Sequence, residues 1–263
     1  MTKEERHQAI QEQLLKAESV SVTELAEQLD VSLVTIRKDL TEMERAGLLY
    51  RSHGKAIAIN PFAANRSVNV KEKLNPEEKY AIGMEAAKFI GPDDSICLAS
   101  GTTIHAFAHC IRTDHHLTVI TASLQASMVL ANQENIDIVQ LGGTLRHSSH
   151  SVVGPSAEAF LDHCAFTKCF MGVDGIDLDF GLTTTDLREA HLNQKMMSVS
   201  QKIIVLADSS KFHRRGFAKI CNMEDVDMII TDSHIKDNDH TRIEEMGIEL
   251  IIAQNQGLPT GVI

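Results

Sequence analysis

The alternation of apolar runs with helical stretches after residue 76 most constrains what this chain can fold into. Seven short apolar runs are candidate strands: residues 95–99, 117–121, 136–141, 166–173, 203–207, 228–231 and 248–252. Helical patterns lie between them: residues 103–111, 123–132, 186–200 and 240–247. Strands that are apolar throughout and alternate with helices predict an α/β domain, with a mostly parallel sheet covered by helices on both faces.

The first 60 residues predict a different, smaller unit that begins with helices. Ser21-Val22-Thr23-Glu24 is a capping-box pattern and marks the start of a helix. Ser32 is placed to cap the next helix. The apolar face of that helix repeats at i, i+4 and i+7: Ile36, Leu40 and Met43.

A hairpin is predicted directly after these helices. Residues 48–51 and 55–59 are short extended runs on either side of the turn residues Ser52-His53-Gly54. Two helices joined by a tight break and followed by a hairpin are typical of a winged helix-turn-helix domain, which we assign to residues 1–59.

The predicted helix after Ser32 carries donors and small side chains on its outward face. A recognition helix needs such groups for phosphates and base edges, although a solvated helix face without a partner has a similar composition. The candidate DNA-binding residues on this helix and the hairpin are Ser32, Leu33, Thr35, Arg37, Lys38, Thr41, Arg51, His53 and Lys55.

Charge is unevenly distributed along the chain. The whole chain has a formal net charge of -11, which argues against nucleic-acid binding over the whole surface. Residues 35–55, however, hold five basic and three acidic residues and are net positive. We therefore expect DNA contact to be confined to the recognition helix and the hairpin.

Residues 60–75 lack clear periodicity and contain Pro61, so they are interpreted as a linker. Asn75-Pro76-Glu77-Glu78 then predicts a helix start, with Asn75 as the N-cap. The α/β domain is assigned to residues 76–263.

Small and polar residues follow the predicted strands at the edge where ligands bind in parallel sheets. Gly/Ser/Thr loops at helix starts, together with Arg146 and Lys211, suggest a phosphorylated ligand. Asp174 and Asp208 are candidate acceptors for sugar hydroxyls. The candidate effector-binding residues are Ser100, Gly101, Thr102, Thr103, Thr121, Ser123, Gly142, Gly143, Arg146, Asp174, Gly175, Glu189, Asp208 and Lys211.

Ordered motifs along nearly the whole chain resemble those of bacterial DeoR-family transcriptional repressors. In the first unit these are Val22-Thr23-Glu24-Leu25-Ala26, Thr35-Ile36-Arg37-Lys38-Asp39-Leu40 and Arg51-Ser52-His53-Gly54. Later matches include Ser100-Gly101-Thr102-Thr103, Leu141-Gly142-Gly143, Gly172-Val173-Asp174-Gly175-Ile176, Gly181-Leu182-Thr183-Thr184, Glu189-Ala190 and Leu206-Ala207-Asp208-Ser209-Ser210-Lys211-Phe212.

The resemblance implies a cytoplasmic, oligomeric repressor of a carbohydrate catabolism operon. It implies a sensor domain similar to ribose-5-phosphate isomerase that binds a phosphorylated sugar or polyol and then releases operator DNA. Three positions depart from the family pattern. Ala99 and Ala122 replace polar residues expected near the pocket, which leaves the effector open, and Lys55 adds a charge at the wing.

Two other functions remain open from the residues themselves. Asp174, Glu189 and Lys211 could supply the base and cation of a sugar-phosphate isomerase. Alternatively, the pocket is vestigial and the domain only assembles a dimer or tetramer.

We expect neither a metal nor a cofactor. The five cysteines are interpreted as structural thiols of a cytoplasmic protein, since no signal sequence or apolar membrane span is recognised.

Overall fold

The computed structural model describes residues 2–17, 19–45, 49–52, 54–58 and 68–255. The chain divides into two compact units, Met1–Ala64 and Asn65–Ile263. Among the described residues, no helix has both the length and the apolar composition needed to cross a membrane.

The first unit is a winged domain with three helices, and it contains the predicted pair of helices followed by a hairpin. Its elements are α1 (Lys3–Lys16), β1 (Ser19–Ser21), α2 (Val22–Gln28), α3 (Leu33–Arg45), β2 (Leu49–Ser52) and β3 (Lys55–Ala58). The strands form an antiparallel sheet in the order β1-β3-β2. The sequence predicted the β2-β3 hairpin but not β1, which adds a third strand to it.

The predicted helix caps of this unit are confirmed. Ser21 Oγ accepts a hydrogen bond from the Glu24 amide at 3.1 Å, and Glu24 Oε2 accepts one from the Ser21 amide at 2.8 Å. Ser32 Oγ accepts from the Thr35 amide at 3.1 Å. These bonds satisfy amides that the first turn of a helix leaves unpaired. The predicted inner face of α3 is fully buried: Ile36, Leu40 and Met43.

A buried ion pair fixes α1 against α3. Arg6 donates to both carboxylate oxygens of Asp39, from Nε at 2.8 Å and from Nη2 at 3.1 Å. Asp39 is only 3% exposed, and the Arg6 contact outweighs the effect of burial and holds the pKa of Asp39 below its ordinary value. A bidentate contact of this kind sets the orientation of α3 as well as its position.

The second unit is built on a seven-stranded parallel sheet with the order β15-β14-β12-β9-β4-β5-β6. The strands of this unit are β4 (Ser95–Leu98), β5 (Leu117–Thr121), β6 (Ile136–Gln140), β7 (Thr144–Arg146), β8 (Ser151–Val153), β9 (Phe166–Gly172), β10 (Gly175–Asp177), β11 (Gly181–Thr184), β12 (Ser200–Leu206), β13 (Ala218–Cys221), β14 (Met228–Asp232) and β15 (Glu249–Ala253). All seven predicted strands are present in the parallel sheet, with ends within a few residues of the prediction.

Helices cover both faces of this sheet. They are α4 (Val68–Glu72), α5 (Pro76–Ala87), α6 (Thr102–Cys110), α7 (Leu124–Leu130), α8 (Pro155–Leu161), α9 (Leu187–Ser198) and α10 (Asp237–Glu245). Ile96 and Leu98 of β4 pack in one core cluster with α5, α6 and α7. Cys97, the residue between them, packs in the other cluster with α8, α9 and α10. Adjacent strand residues point to opposite faces, which confirms the predicted α/β layering.

Two small antiparallel sheets interrupt the α/β alternation. One has the order β10-β11-β13 and the other is the β7-β8 hairpin. Neither was predicted, because these strands are only three or four residues long. These strands position two residues that line a pocket of the second unit, because Arg146 ends β7 and Thr184 ends β11.

The predicted capping role of Asn75 is wrong. Asn75 lies in the left-handed region with φ of 50° and makes no side-chain cap, although Pro76 does begin α5 as predicted. The Asn75 amide instead donates from Nδ2 to Asp208 Oδ1 at 2.9 Å. A tertiary hydrogen bond to a buried carboxylate therefore replaces the local cap. The predicted linker, residues 60–75, contains α4, and residues 60–67 of it lie outside the described part of the chain.

Candidate functional site

The outward surface of α3 combines cations with exposed apolar side chains. Arg37 and Lys38 are exposed, as are Ser32 and Leu33. Thr35 and Thr41 are half-buried. The Thr35 hydroxyl bonds Ser32 Oγ at 2.9 Å, and the Thr41 hydroxyl donates to a backbone carbonyl of the same helix at 2.7 Å.

Val34 was not among the predicted DNA-binding residues. It is 73% exposed, and its spacing places it on the same helix face as Arg37, Lys38 and Thr41. An exposed aliphatic side chain at the start of such a helix is suited to contact with a thymine methyl group. The sequence signal that could have identified Val34 is its position three and four residues before Arg37 and Lys38, which places all three on one helix face.

In the wing, the structure places Lys55 on the surface of β3. Gly54 precedes it with φ of 75°, a left-handed turn conformation that favours glycine. Arg51 lies in β2, and its side chain is not described. His53, the remaining predicted wing residue, lies outside the described residues.

A pocket opens at the carboxyl ends of the central strands of the parallel sheet. It holds about 540 Å³ of space between protein atoms, part of it open to solvent. Eight predicted residues line it: Ser100, Gly101, Thr102, Thr103, Arg146, Asp174, Glu189 and Lys211. Eight residues that were not predicted also line it: Val68, Lys71, Ser148, Ser149, Gly172, Val173, Thr184 and Thr185.

Six predicted effector residues lie outside the pocket lining: Thr121, Ser123, Gly142, Gly143, Gly175 and Asp208. Local roles account for several of them. Thr121 is fully buried and accepts the Ser123 amide at 3.0 Å, while Ser123 Oγ caps α7 by accepting an amide at 3.2 Å. Gly143 lies so close to the β8 backbone that a Cβ would be 2.7 Å from a carbonyl oxygen. Ala99 and Ala122 lie in the apolar core and not in the pocket lining.

Asp174 is the carboxylate around which the pocket is organised. Oδ1 accepts from Lys71 Nζ at 2.5 Å. Oδ2 accepts from the Thr184 hydroxyl, the Thr185 amide and the Thr185 hydroxyl, each at 3.2 Å. Burial alone raises the pKa of Asp174, but the charges of Lys71 and Lys211 and these hydrogen bonds outweigh it and lower the pKa to about 2. The carboxylate is therefore ionised throughout the physiological range.

Arg146, which is buried, and Glu189, which is half-buried, form a second ion pair in the pocket lining. Arg146 Nη1 donates to Glu189 Oε2, and Arg146 Nε lies 3.3 Å from Asp186 Oδ2. Glu189 also accepts from the Ser100 hydroxyl at 2.7 Å and the Thr184 hydroxyl at 3.0 Å. Thus the guanidinium has two carboxylate partners within the protein.

Lys211 differs from the other two cations of the pocket. Among the described residues, no hydrogen bond or ion pair to its ammonium is found. Burial lowers the pKa of Lys211, and the negative charges of Asp208 and Asp174 only partly offset this. Lys211 is half-buried, and an ammonium in a pocket without a direct protein partner is suited to bind an anion.

The start of α6 adds backbone donors to the same pocket. Gly101 precedes the helix with φ of 121°, and Thr102 and Thr103 form its first turn. The first amides of a helix have no partner within it, and the helix dipole favours negative charge there. Lys211 and this helix start both line the pocket and together form a candidate anion subsite.

Helix α4 brings Lys71 into the pocket. The sequence could not show this, because a five-residue helix has no readable periodicity and falls in the predicted linker. Lys79 of α5 is only 3% exposed and donates from Nζ to the carbonyl oxygens of Lys71, at 2.5 Å, and Leu74. A positive charge at the carboxyl end of α4 stabilises that end.

Comparisons with known proteins identify two matching family models. Residues 6–62 match a DeoR-like helix-turn-helix domain, and residues 74–233 match a DeoR C-terminal sensor domain. The chain is 35% identical to a protein of Escherichia coli O157:H7 named for transcriptional repression of the aga operon, over 95% of this chain and 94% of that protein. It is 32% identical to the transcriptional regulator GlpR of Haloferax volcanii, over 94% of this chain and 96% of that protein. A ribose 5-phosphate isomerase structure from Methanocaldococcus jannaschii aligns with a TM-score of 0.40 at 20% identity, covering 52% of this chain and 55% of that one.

We predict that Lys79 titrates well below the ordinary lysine pKa. Burial lowers its pKa from 10.5 to about 8. NMR titration of labelled lysine side chains, with Lys79→Arg to assign the resonance, should show one midpoint near pH 8. Because the unfolded chain then holds more protons between pH 8 and 10.5, stability should rise across that interval by on the order of 3 kcal/mol more than in Lys79→Met. Midpoints above pH 10 for every lysine would contradict this prediction.

Proposed function

The chain belongs to the DeoR family, and from this we propose that it is a DNA-binding repressor of a carbohydrate catabolism operon that a phosphorylated sugar or polyol releases from its operator. The first unit binds double-stranded DNA and the second binds the effector. The names of the relatives that match along nearly the whole chain support the regulatory role.

The surface of α3 supports the DNA-binding role. Arg37 and Lys38 are exposed on a helix that the Arg6–Asp39 pair holds in place. Together with Lys55 in the wing, they contact phosphates and guanine edges, while Leu33 and Val34 contact thymine methyl groups. One winged helix reads only a few base pairs, so the protein acts as a dimer or tetramer on a repeated site. A regulator of this class acts in the cytoplasm.

Lys211 is the single observation that carries the effector proposal. It is a half-buried cation without a direct partner among the described residues, and it shares the pocket with the start of α6. A phosphate group satisfies both, because it accepts several hydrogen bonds and carries negative charge. The hydroxyl groups of the same ligand bind the polar rim formed by Asp174, Glu189 and Ser100.

Catalysis by the same pocket is the less favoured function. An efficient general base has a pKa near the working pH, whereas the pKa of Asp174 is about 2 and four donors occupy its oxygens. Glu189 is likewise engaged by Arg146, Ser100 and Thr184. These contacts suit fixed acceptors that recognise hydroxyl groups, and they support a sensor rather than an isomerase.

We predict that Lys38→Ala weakens DNA binding and reduces its dependence on salt. Each lost phosphate contact lowers the slope of log K against log salt by about 0.9. Titrating a duplex selected from a random library by the wild-type protein, at several salt concentrations, measures both quantities. Lys195→Ala removes the same charge from α9 of the second unit and should leave the slope unchanged. The same slope for Lys38→Ala and wild type would exclude a phosphate contact by Lys38.

Lys211→Met should abolish most of the stabilisation by a phosphorylated ligand. A panel of triose, pentose and hexose phosphates is screened by thermal shift, in which a ligand at 100 times its Kd stabilises the wild type by about 2.7 kcal/mol. Losing a charge-assisted hydrogen bond to the phosphate weakens binding at least tenfold. Lys202→Met, on β12, is the charge-matched control. The anion-subsite proposal fails if Lys211→Met and wild type respond equally to the same sugar phosphate.

A further inference from the structure

Helix α4 is attached to the pocket through Val68 and Lys71, its first and fourth residues. The Val68 amide donates to the Ser148 carbonyl at 2.6 Å, and Lys71 Nζ lies 2.5 Å from Asp174 Oδ1. Ser148 and Asp174 both line the pocket, as do Val68 and Lys71 themselves. A ligand in the pocket is therefore adjacent to both the Val68–Ser148 and the Lys71–Asp174 contacts.

The other end of α4 is attached outside the pocket lining. Lys79 Nζ bonds the carbonyls of Lys71 and Leu74, and Asn75 Nδ2 bonds Asp208 at 2.9 Å. Neither Lys79 nor Asp208 lines the pocket. A pocket ligand can therefore break the contacts of Val68 and the Lys71 side chain to pocket residues, while the contacts made by Lys79 and Asn75 lie outside the pocket lining.

Helix α4 is separated from the DNA-binding unit by only a short segment of chain. Residues 59–67, which lie outside the described part of the chain, are all that separates β3 of the DNA-binding unit from α4. Val68, which is bonded to Ser148 of the pocket lining, is the residue of α4 from which the chain leads back to the DNA-binding unit. Any movement of α4 at Val68 acts on the covalent connection between the two units.

Among the donors to Asp174, Lys71 is the one that can be exchanged. The other three come from Thr184 and Thr185, and Thr184 ends a strand and is 3% exposed. Lys71 comes from a separate five-residue helix, and its side chain is 23% exposed. A ligand hydroxyl that donates to Asp174 Oδ1 takes the place of Lys71 Nζ. The displaced ammonium then has a new partner in the anionic group of the ligand, so no charge is left unpaired.

We propose that the Lys71–Asp174 ion pair is the contact through which the effector controls DNA binding: it holds α4 in the DNA-competent arrangement, and the ligand breaks it. This inference rests on the proposed function, in which a phosphorylated sugar releases DNA. It assigns to Lys71 a role in transmission that is separate from ligand affinity. A ligand shifts such an equilibrium only through different contacts in the two states, and the exchange at Asp174 supplies them.

The proposal is tested without any ligand, because breaking the pair by mutation should imitate the effector. Lys71→Met should bind the duplex selected by the wild-type protein at least fivefold more weakly, in the range of ordinary allosteric coupling. Amide hydrogen exchange in residues 68–72 should become faster. Lys73→Met removes the same charge from an exposed neighbour and should bind like wild type. Lys71→Arg, which keeps an ion pair to Asp174, should also bind nearly like wild type.

The outcomes separate this inference from the function on which it rests. If wild type binds DNA and Lys71→Met binds equally well, the ion pair does not hold the DNA-competent state and the inference fails. If Lys71→Met and Lys73→Met are weakened alike, the effect is one of net charge and the inference also fails. If wild type itself shows no specific duplex binding, the proposed function fails first. Wild-type protein gives a second measurement: a sugar phosphate that raises its melting temperature should accelerate exchange in residues 68–72, and unchanged exchange there would overturn the inference.

Discussion

The ionised carboxylate of Asp174, half-buried at the carboxyl edge of a parallel sheet, is the constraint on which the rest of the second unit depends. A buried charge is stable only when it is paired and hydrogen-bonded. The fold meets this demand from two directions, with Thr184 and Thr185 after β11 and Lys71 from α4. The small antiparallel sheet and the short helix, which interrupt an otherwise regular α/β alternation, are the elements that carry these donors.

Charge balance then explains why the pocket suits an anionic, hydroxylated ligand. Arg146 is neutralised by Glu189 and Asp186, and Lys71 by Asp174, whereas Lys211 has no direct partner among the described residues. The unmatched cation lies in the pocket with the start of α6, and the carboxylates supply acceptors for hydroxyl groups. In the first unit, the Arg6–Asp39 ion pair similarly holds α3, the helix proposed to contact DNA.

Features set by local sequence were predictable, and features set by tertiary contacts were not. The Ser21 and Ser32 caps, the inner face of α3 and the seven parallel strands follow from patterns within a few residues, and the structure has them all. Parallel topology brings strand ends together, which is why Ser100, Asp174 and Lys211 could be placed in one pocket from their positions after strands. Asn75 was mispredicted because a bond to Asp208, 133 residues away, replaces its local cap. Lys71 was missed because a five-residue helix carries no period, and Ala99 and Ala122 proved to belong to the core.

The central claim is that one ligand pocket and one DNA surface are energetically coupled, and reciprocity tests it most directly. A sugar phosphate that raises the melting temperature is used to measure operator affinity with and without ligand, and ligand affinity with and without operator. Thermodynamic linkage requires that the two ratios be equal. The account predicts that ligand lowers operator affinity, and operator lowers ligand affinity, by the same factor of at least five. A ligand that binds tightly yet leaves operator affinity unchanged would contradict it.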